Sequence, residues 1–260
     1  MVKDKKMLTL SHIELTNFCN LKCFHCPHSG GISYRGGYLT LENFKKALPY
    51  ASPNGFNFAL HGEALLHPQV CEFAKVAKEA GVQPFLATNG LLLTDTICEK
   101  LIKLRIGGIE VGIYSEKAFL SFKNLFAINE SLGNLVSIIG DIYPCHLLNS
   151  KGWAENIGLE KKHLKSLRVS PMHNWTKDSE KHSWKECSFI DRNWCVMKWD
   201  GKIFSCCYDF DGVNYIGDID DFPNLQHRTD YKLCEHCSPS WVHQNNDVWY
   251  DYASFYEPAK

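Results

Sequence analysis

Cys19, Cys23 and Cys26 stand at C-x3-C-x2-C spacing in the run Cys-Asn-Leu-Lys-Cys-Phe-His-Cys, the part of the chain richest in chemical information. Three thiolates so close together can hold three corners of a four-iron cube and leave the fourth iron open. An iron without a protein ligand takes an exogenous one, and a molecule offering an amine and a carboxylate together can chelate it. Zinc is the competing reading, but it prefers four closed ligands, commonly two C-x2-C pairs, which a lone triplet supplies poorly.

A second set of cysteines lies toward the other end. Thirteen residues separate Cys187 from Gly201, four separate Gly201 from Cys206, and Cys234-Glu-His-Cys237 follows as a C-x2-C pair. Spacing alone leaves a four-cysteine zinc ribbon and a second iron-sulfur cluster both open. Cys195 and Cys207 compete as ligands. Cys195 reads as a strand-interior thiol in the run Trp194–Trp199, and Cys207 adjoins Cys206, where neighbouring strand residues point to opposite faces. Cys206 is preferred because it keeps the glycine spacing.

Positioning these groups requires a scaffold, and 260 residues at 45% hydrophobic content suffice for one substantial core and a small appended unit. Short apolar strands alternate with amphipathic helical patterns. Strands are expected at His12–Leu15, Phe56–Leu60, Val82–Thr88, Ile109–Tyr114, Leu135–Ile142 and Ser166–Ser170, with Thr40 and Thr94 as helix caps. Repeated βα units imply a parallel sheet and an open barrel of about six strands. From about residue 177 tryptophans, cysteines and turn residues replace this rhythm. Met197–Trp199 and Ile203–Cys206 are expected to form a hairpin about Asp200-Gly201. Three domains follow: residues 1–178 as the barrel, 179–243 as a small cysteine-bearing unit, and 244–260 as an aromatic tail.

A net charge of −1 gives no basic field for nucleic acid or anionic membrane, and no apolar run approaches the roughly 20 residues that span a bilayer. Twelve cysteines behind a charged Met1–Leu10 argue for reduced thiols in the cytoplasm rather than a secreted disulfide scaffold.

The triplet, with the aromatic His25 directly before its third cysteine, resembles the signature of the radical S-adenosylmethionine (SAM) enzymes. His61-Gly62-Glu63-Ala-Leu-Leu-His67-Pro68 resembles their G-G-E-P-L-L-H-P stretch, with His61 and Ala64 as departures, and Thr88-Asn89-Gly90 resembles their T-N-G. The resemblance implies a partial (β/α)6 barrel binding SAM through His25, Gly62, Glu63, Thr88, Asn89 and Ser115, with Glu63 accepting from the methionyl ammonium and Gly62 leaving it space. Cys187-x13-Gly-x4-Cys206 with Cys234 and Cys237 is similar to the twitch and SPASM auxiliary-cluster domains. Two [4Fe-4S] clusters are thereby implied, on Cys19, Cys23 and Cys26 and on Cys187, Cys206, Cys234 and Cys237.

The nearest likeness is to the twitch-type aminocyclitol dehydrogenases, whose S-N-R-G stretch is similar to Asn149-Ser150-Lys151-Gly152. It implies a radical SAM oxidoreductase acting on a small polar molecule, with Lys151 assisting loss of a hydroxyl proton and flavodoxin or ferredoxin supplying single electrons. A peptide maturase that cross-links or epimerises a ribosomal precursor is the alternative. Many such enzymes place a winged domain ahead of the barrel, where this sequence has about ten residues. A zinc-stabilised, non-catalytic binding module is the third reading.

Overall fold

The computed structural model describes residues 7–23, 26, 36–142, 161–169, 187–228, 230–231 and 234. In chain order the elements are β1 (Thr9–Ile13), α1 (Leu41–Ala47), β2 (Phe56–Phe58), α2 (Val70–Glu79), β3 (Pro84–Thr88), α3 (Asp95–Lys103), β4 (Gly108–Ile113) and α4 (Glu116–Ser131). They continue with β5 (Ser137–Ile142), α5 (Lys161–Leu164), β6 (Leu167–Val169), α6 (Ser188–Asp191), β7 (Trp194–Met197), β8 (Lys202–Phe204) and β9 (Tyr215–Asp218). The expected alternation of strand and helix is present through β6. Contacts divide the described residues into two compact units, one comprising those up to Gln83 and from Cys187 onward, the other Pro84 to Val169. The expected boundary at 178 and the tail at 244–260 lie outside the described residues.

In the first unit the strand order is β2-β1-β7-β8-β9. Strand β1 pairs in parallel with β2 and β7, while β8 is antiparallel to both β7 and β9. The Thr40 hydroxyl accepts from the Asn43 N–H at 3.2 Å and starts α1. Helix α2 buries Val70, Phe73, Ala74 and Ala77, the i, i+3, i+4, i+7 stripe of an amphipathic helix, and Gly81 at φ +76° ends it. Phe44 lies within 4.8 to 6.1 Å of the Phe56, Phe58 and Phe73 rings, so α1, α2 and β2 share one aromatic core.

Two strand expectations are corrected here. β1 runs from Thr9 to Ile13, earlier than His12–Leu15, because Leu8, Leu10 and Ile13 carry the buried side chains that seat it. The hairpin is built from Trp194–Met197 and Lys202–Phe204, and Trp199 falls in its turn. Strand β7 takes its parallel place beside β1, which defines its span, and Gly201 at φ +85° makes the turn.

In the second unit β3, β4, β5 and β6 form a parallel sheet in that order. Leu86, Ile109, Val111, Ile138 and Leu167 make one face apolar. Gly140 on this face touches Phe122 of α4, and Gly90 touches Val111 and Ala118. Among the described residues no helix is long and apolar enough to cross a membrane.

Candidate active site

The cysteine triplet sits on a loop whose two ends are clamped together. Leu39 N–H donates to Leu15 O at 2.8 Å, the Thr16 hydroxyl to Gly37 O at 2.7 Å, and Gly37 N–H to Asn17 Oδ1 at 3.0 Å. Thr16 Oγ1 also accepts from Phe18 N–H at 3.1 Å. Cys19, Cys23 and Cys26 are half-buried on this loop, where Cys26 N–H meets Cys23 O at 2.9 Å and Leu21 N–H reaches Cys19 Sγ at 3.5 Å. Among the described residues no three His, Cys, Asp or Glu side chains converge on a metal-sized point. What fits an iron-sulfur cluster is the donor chemistry: three accessible thiols on one tethered loop, one already meeting a backbone N–H as cluster sulfurs commonly do.

The stretch His61–His67 folds onto this loop. Glu63 N–H donates to Phe18 O at 2.8 Å, and the Glu63 carboxylate, only 3% exposed, accepts from Leu65 N–H at 3.0 Å, starting a short 3-10 turn over Ala64–Leu66. His67 holds the end of the stretch, with Nε2 at 3.1 Å from Leu39 O and Nδ1 at 3.2 Å from Gln69 N–H. That pattern defines the neutral Nε2–H tautomer, and burial lowers its pKa further. Gly62 also has a packing role on this loop. A Cβ there would stand 2.1 Å from Thr16 O and 2.7 Å from Phe18 O, so the glycine admits the backbone of the cysteine loop. Gly62→Ala is therefore expected to cost roughly 1–3 kcal/mol in stability and to lower iron loading at the triplet, read by thermal melting and iron analysis.

Glu14 is the residue that sequence reading missed. It is 1% exposed, and its carboxylate accepts from His61 N–H at 3.0 Å and Trp199 N–H at 3.3 Å, with His61 Nδ1 at 3.7 Å. It thus binds the segments that follow β1, β2 and β7 to one another. Burial pushes its pKa up to about 7 despite those two N–H bonds and nearby Lys198. The only sequence signal was a carboxylate at an inward position of an otherwise apolar run. His61, which departs from the resembled glycine, stacks on Phe210 with ring centroids 3.7 Å apart and approaches Cys207 O at 3.4 Å.

The second cysteine set gathers in the same unit. Cys187, Cys206 and Cys207 pack against the apolar cluster of Phe189, Val196 and Phe204. Burial and neighbouring Cys187 raise the Cys234 thiol to about 11. Cys195 is fully buried in β7, with its sulfur 3.4 Å from Thr9 O, as expected of a strand-interior thiol. His25, Lys151 and Cys237 lie outside the described residues.

Thr88, Asn89 and Ser115 belong to the second unit. Thr88 Oγ1 accepts from Gly90 N–H and Asn89 Oδ1 from Leu91 N–H, both at 3.1 Å, while Gly90 takes φ +77°. These bonds shape the strand-ending turn. Ser115 is exposed and caps α4 by accepting from Ala118 N–H at 3.2 Å. Its assigned geometry is that of a helix cap.

Residues 13–118 match the Radical SAM superfamily model. Across 102 residues the chain is 37% identical to the AdoMet-dependent heme synthase of Methanosarcina barkeri, covering 38% of this chain and 29% of that protein. It therefore spans less than a third of that relative. Along 95% of its length it is 24% identical to the S-adenosyl-L-methionine-dependent 2-deoxy-scyllo-inosamine dehydrogenase of Niallia circulans, of which it covers 98%. The crystal structure of BtrN in complex with AdoMet and 2-DOIA superposes with a TM-score of 0.59 at 17% identity, over 85% of this chain and 81% of that one. That likeness shows the fold, the α/β partial barrel expected from the sequence.

Proposed function

We propose that the protein is a radical SAM oxidoreductase that dehydrogenates a small, polar, sugar- or aminocyclitol-like biosynthetic intermediate. The observation that supports it best is the Glu63 N–H bond to Phe18 O, which ties the resembled SAM-binding stretch onto the triplet loop. Cys19, Cys23 and Cys26 would hold a [4Fe-4S] cluster, and Cys187, Cys206, Cys234 and Cys237 an auxiliary one. When bound, these clusters and SAM supply a 5′-deoxyadenosyl radical by one-electron cleavage and an acceptor for the second electron of the oxidation.

The chain's own residues have distinct tasks in this reading. Glu63 accepts from the methionyl ammonium, His25 and the turn at Thr88 and Asn89 take the rest of the cofactor with Ser115, and Lys151 receives the hydroxyl proton. A carboxylate already buried against backbone N–H groups needs little reorganisation to meet a cation. Flavodoxin or ferredoxin in a reducing cytoplasm would provide the electrons.

The deciding experiment is anaerobic reconstitution, iron, sulfide and zinc analysis, and reduction in the presence of SAM. About eight irons and 5′-deoxyadenosine support the reading. Deuterium transfer to 5′-deoxyadenosine from labelled aminocyclitols, and not from peptides, would then support dehydrogenation of a small molecule. Zinc with little iron and no SAM cleavage would leave only a binding module.

A further inference from the structure

In the first unit, His12 of β1 and Asn57 of β2 are direct neighbours in the parallel ladder, so their side chains leave the sheet on the same face. That face is opposite the aromatic core. Phe56 and Phe58, on either side of Asn57, are buried around the Phe44 ring, whereas Asn57 and His12 stay half-buried and keep surface open to solvent. Phe189 of α6 lies on the His12 side, with ring centroids 6.2 Å apart. The register of β1 against β7 slips between Leu10 and His12, which makes Ser11 an extra residue in the strand, the mark of a bulge. Ser11 Oγ thereby stands 3.0 Å from His12 Nδ1 and 3.1 Å from Cys195 O.

These contacts fix the state of the imidazole. The Cys195 carbonyl has no proton to give, so the Ser11 hydroxyl donates to it and must accept from His12 Nδ1–H. Burial lowers the His12 pKa to about 4, and the ring is therefore neutral at pH 7. Its Nε2 is left with a lone pair, which meets no donor among the described residues. Asn57 presents the complementary anomaly. Its Oδ1 is buried and has no hydrogen-bond partner. Leaving a buried amide oxygen unpaired is costly, and a leucine would fill the same place without that cost. Two neighbouring side chains on one half-buried face thus carry unused hydrogen-bonding capacity that the fold itself does not need.

We infer that His12 and Asn57 form a subsite for two neighbouring hydroxyl groups of a polyol, one donating to His12 Nε2 and the other bonded by the Asn57 amide. The inference deepens the proposed function and rests on it for the substrate's class. Adjacent strands lie about 4.8 Å apart, a separation that two hydroxyls on neighbouring ring carbons can bridge. Unpaired polar groups in a half-buried site reject a molecule that cannot bond them, so the pair selects a diol over an apolar ring. The Ser11 bond holds the imidazole in the accepting tautomer before any ligand arrives.

The test is calorimetric titration of the reconstituted protein with scyllo-inositol, for wild type, Asn57→Leu and His12→Phe, with a melting curve for each. Wild type is expected to bind scyllo-inositol saturably. Asn57→Leu removes an amide whose oxygen bonds nothing in the protein, so it should melt no earlier than wild type and yet bind scyllo-inositol about tenfold more weakly. His12→Phe keeps a ring beside Phe189 and leaves Ser11 its bond to Cys195 O, and should weaken binding about tenfold as well. Should one variant melt early, the other carries the test. Absence of saturable binding to wild type overturns the inference, as does wild-type affinity in either folded variant, which would leave the Asn57 amide to an ordered water alone. SAM cleavage measured on the same wild-type preparation without polyol separates the two ideas. Cleavage without polyol binding sinks the subsite alone, and polyol binding that depends on both residues, without cleavage, sinks the reaction alone.

Discussion

Replacing Cys19, Cys23 and Cys26 together by alanine is expected to abolish 5′-deoxyadenosine formation, a loss of at least about a thousandfold, and to remove about four irons. The size of the effect follows from an all-or-none dependence in the proposed function: without these thiols nothing would present SAM with an electron, so no slower route would remain. The same replacement at Cys187, Cys206 and Cys234 is expected to remove about four irons as well, yet leave SAM cleavage measurable, because in the proposed function those residues would serve only the second electron. Cys195→Ala is the internal comparison, since its sulfur is fully buried in β7 and should contribute packing alone. Iron content and 5′-deoxyadenosine yield on the three variants measure this directly. A triplet variant that still cleaves SAM would remove the basis of the proposed function, and a Cys195→Ala protein lacking iron would redraw the second ligand set.

Glu14 carries the second large effect, and its sign is unusual for a carboxylate. Because burial raises its pKa from 4.5 to about 7, the folded protein holds a proton there that the unfolded chain has already released. The stability from protonated Glu14 is full below about pH 4.5 and declines as pH rises through about 7, by about 3 kcal/mol in all. His12 works in the opposite direction: burial lowers its pKa to about 4, so its contribution is present above about pH 6.5 and lost on acidification toward 4. The two slopes offset one another between about pH 4.5 and 6.5, leaving Glu14 dominant from there to about pH 7.5. Glu14→Gln removes the charge but keeps one acceptor oxygen, enough for the His61 N–H while its NH2 faces the Trp199 N–H. It is therefore expected to lower stability at every pH, to abolish the decline on the alkaline side and to expose the His12 slope on the acid side. Glu14→Ala orphans both N–H groups and should cost about 2–4 kcal/mol at every pH. Denaturant unfolding from pH 5 to 8.5 checks both variants. An unchanged slope in Glu14→Gln would assign the pH dependence to other groups.

Residue type and short-range spacing made the cysteine triplet, the Gly62-Glu63 stretch and the Thr88-Asn89-Gly90 turn readable without coordinates, because each is a local arrangement of a few residues. Helix starts were equally local: Thr40, Thr94 and Ser115 accept from N–H groups three residues on. The cap at Ser115 also shows the limit of such reading, since a serine after a strand can cap a helix or meet a ligand. The alternation of strand and helix, and with it the α/β fold, followed from hydrophobic periodicity.

The sequence by itself thus determined the metal-binding chemistry on offer, the fold class and most helix ends, since these depend on neighbours within about one or two turns of chain. Only the tertiary structure decided that β7 lies beside β1, that Gly62 admits the cysteine loop, that Glu14 joins three loops, and that His12 and Asn57 share one face. Each depends on backbone segments tens of residues or more apart in the chain, and strand order together with burial, which no local pattern encodes, brings them together.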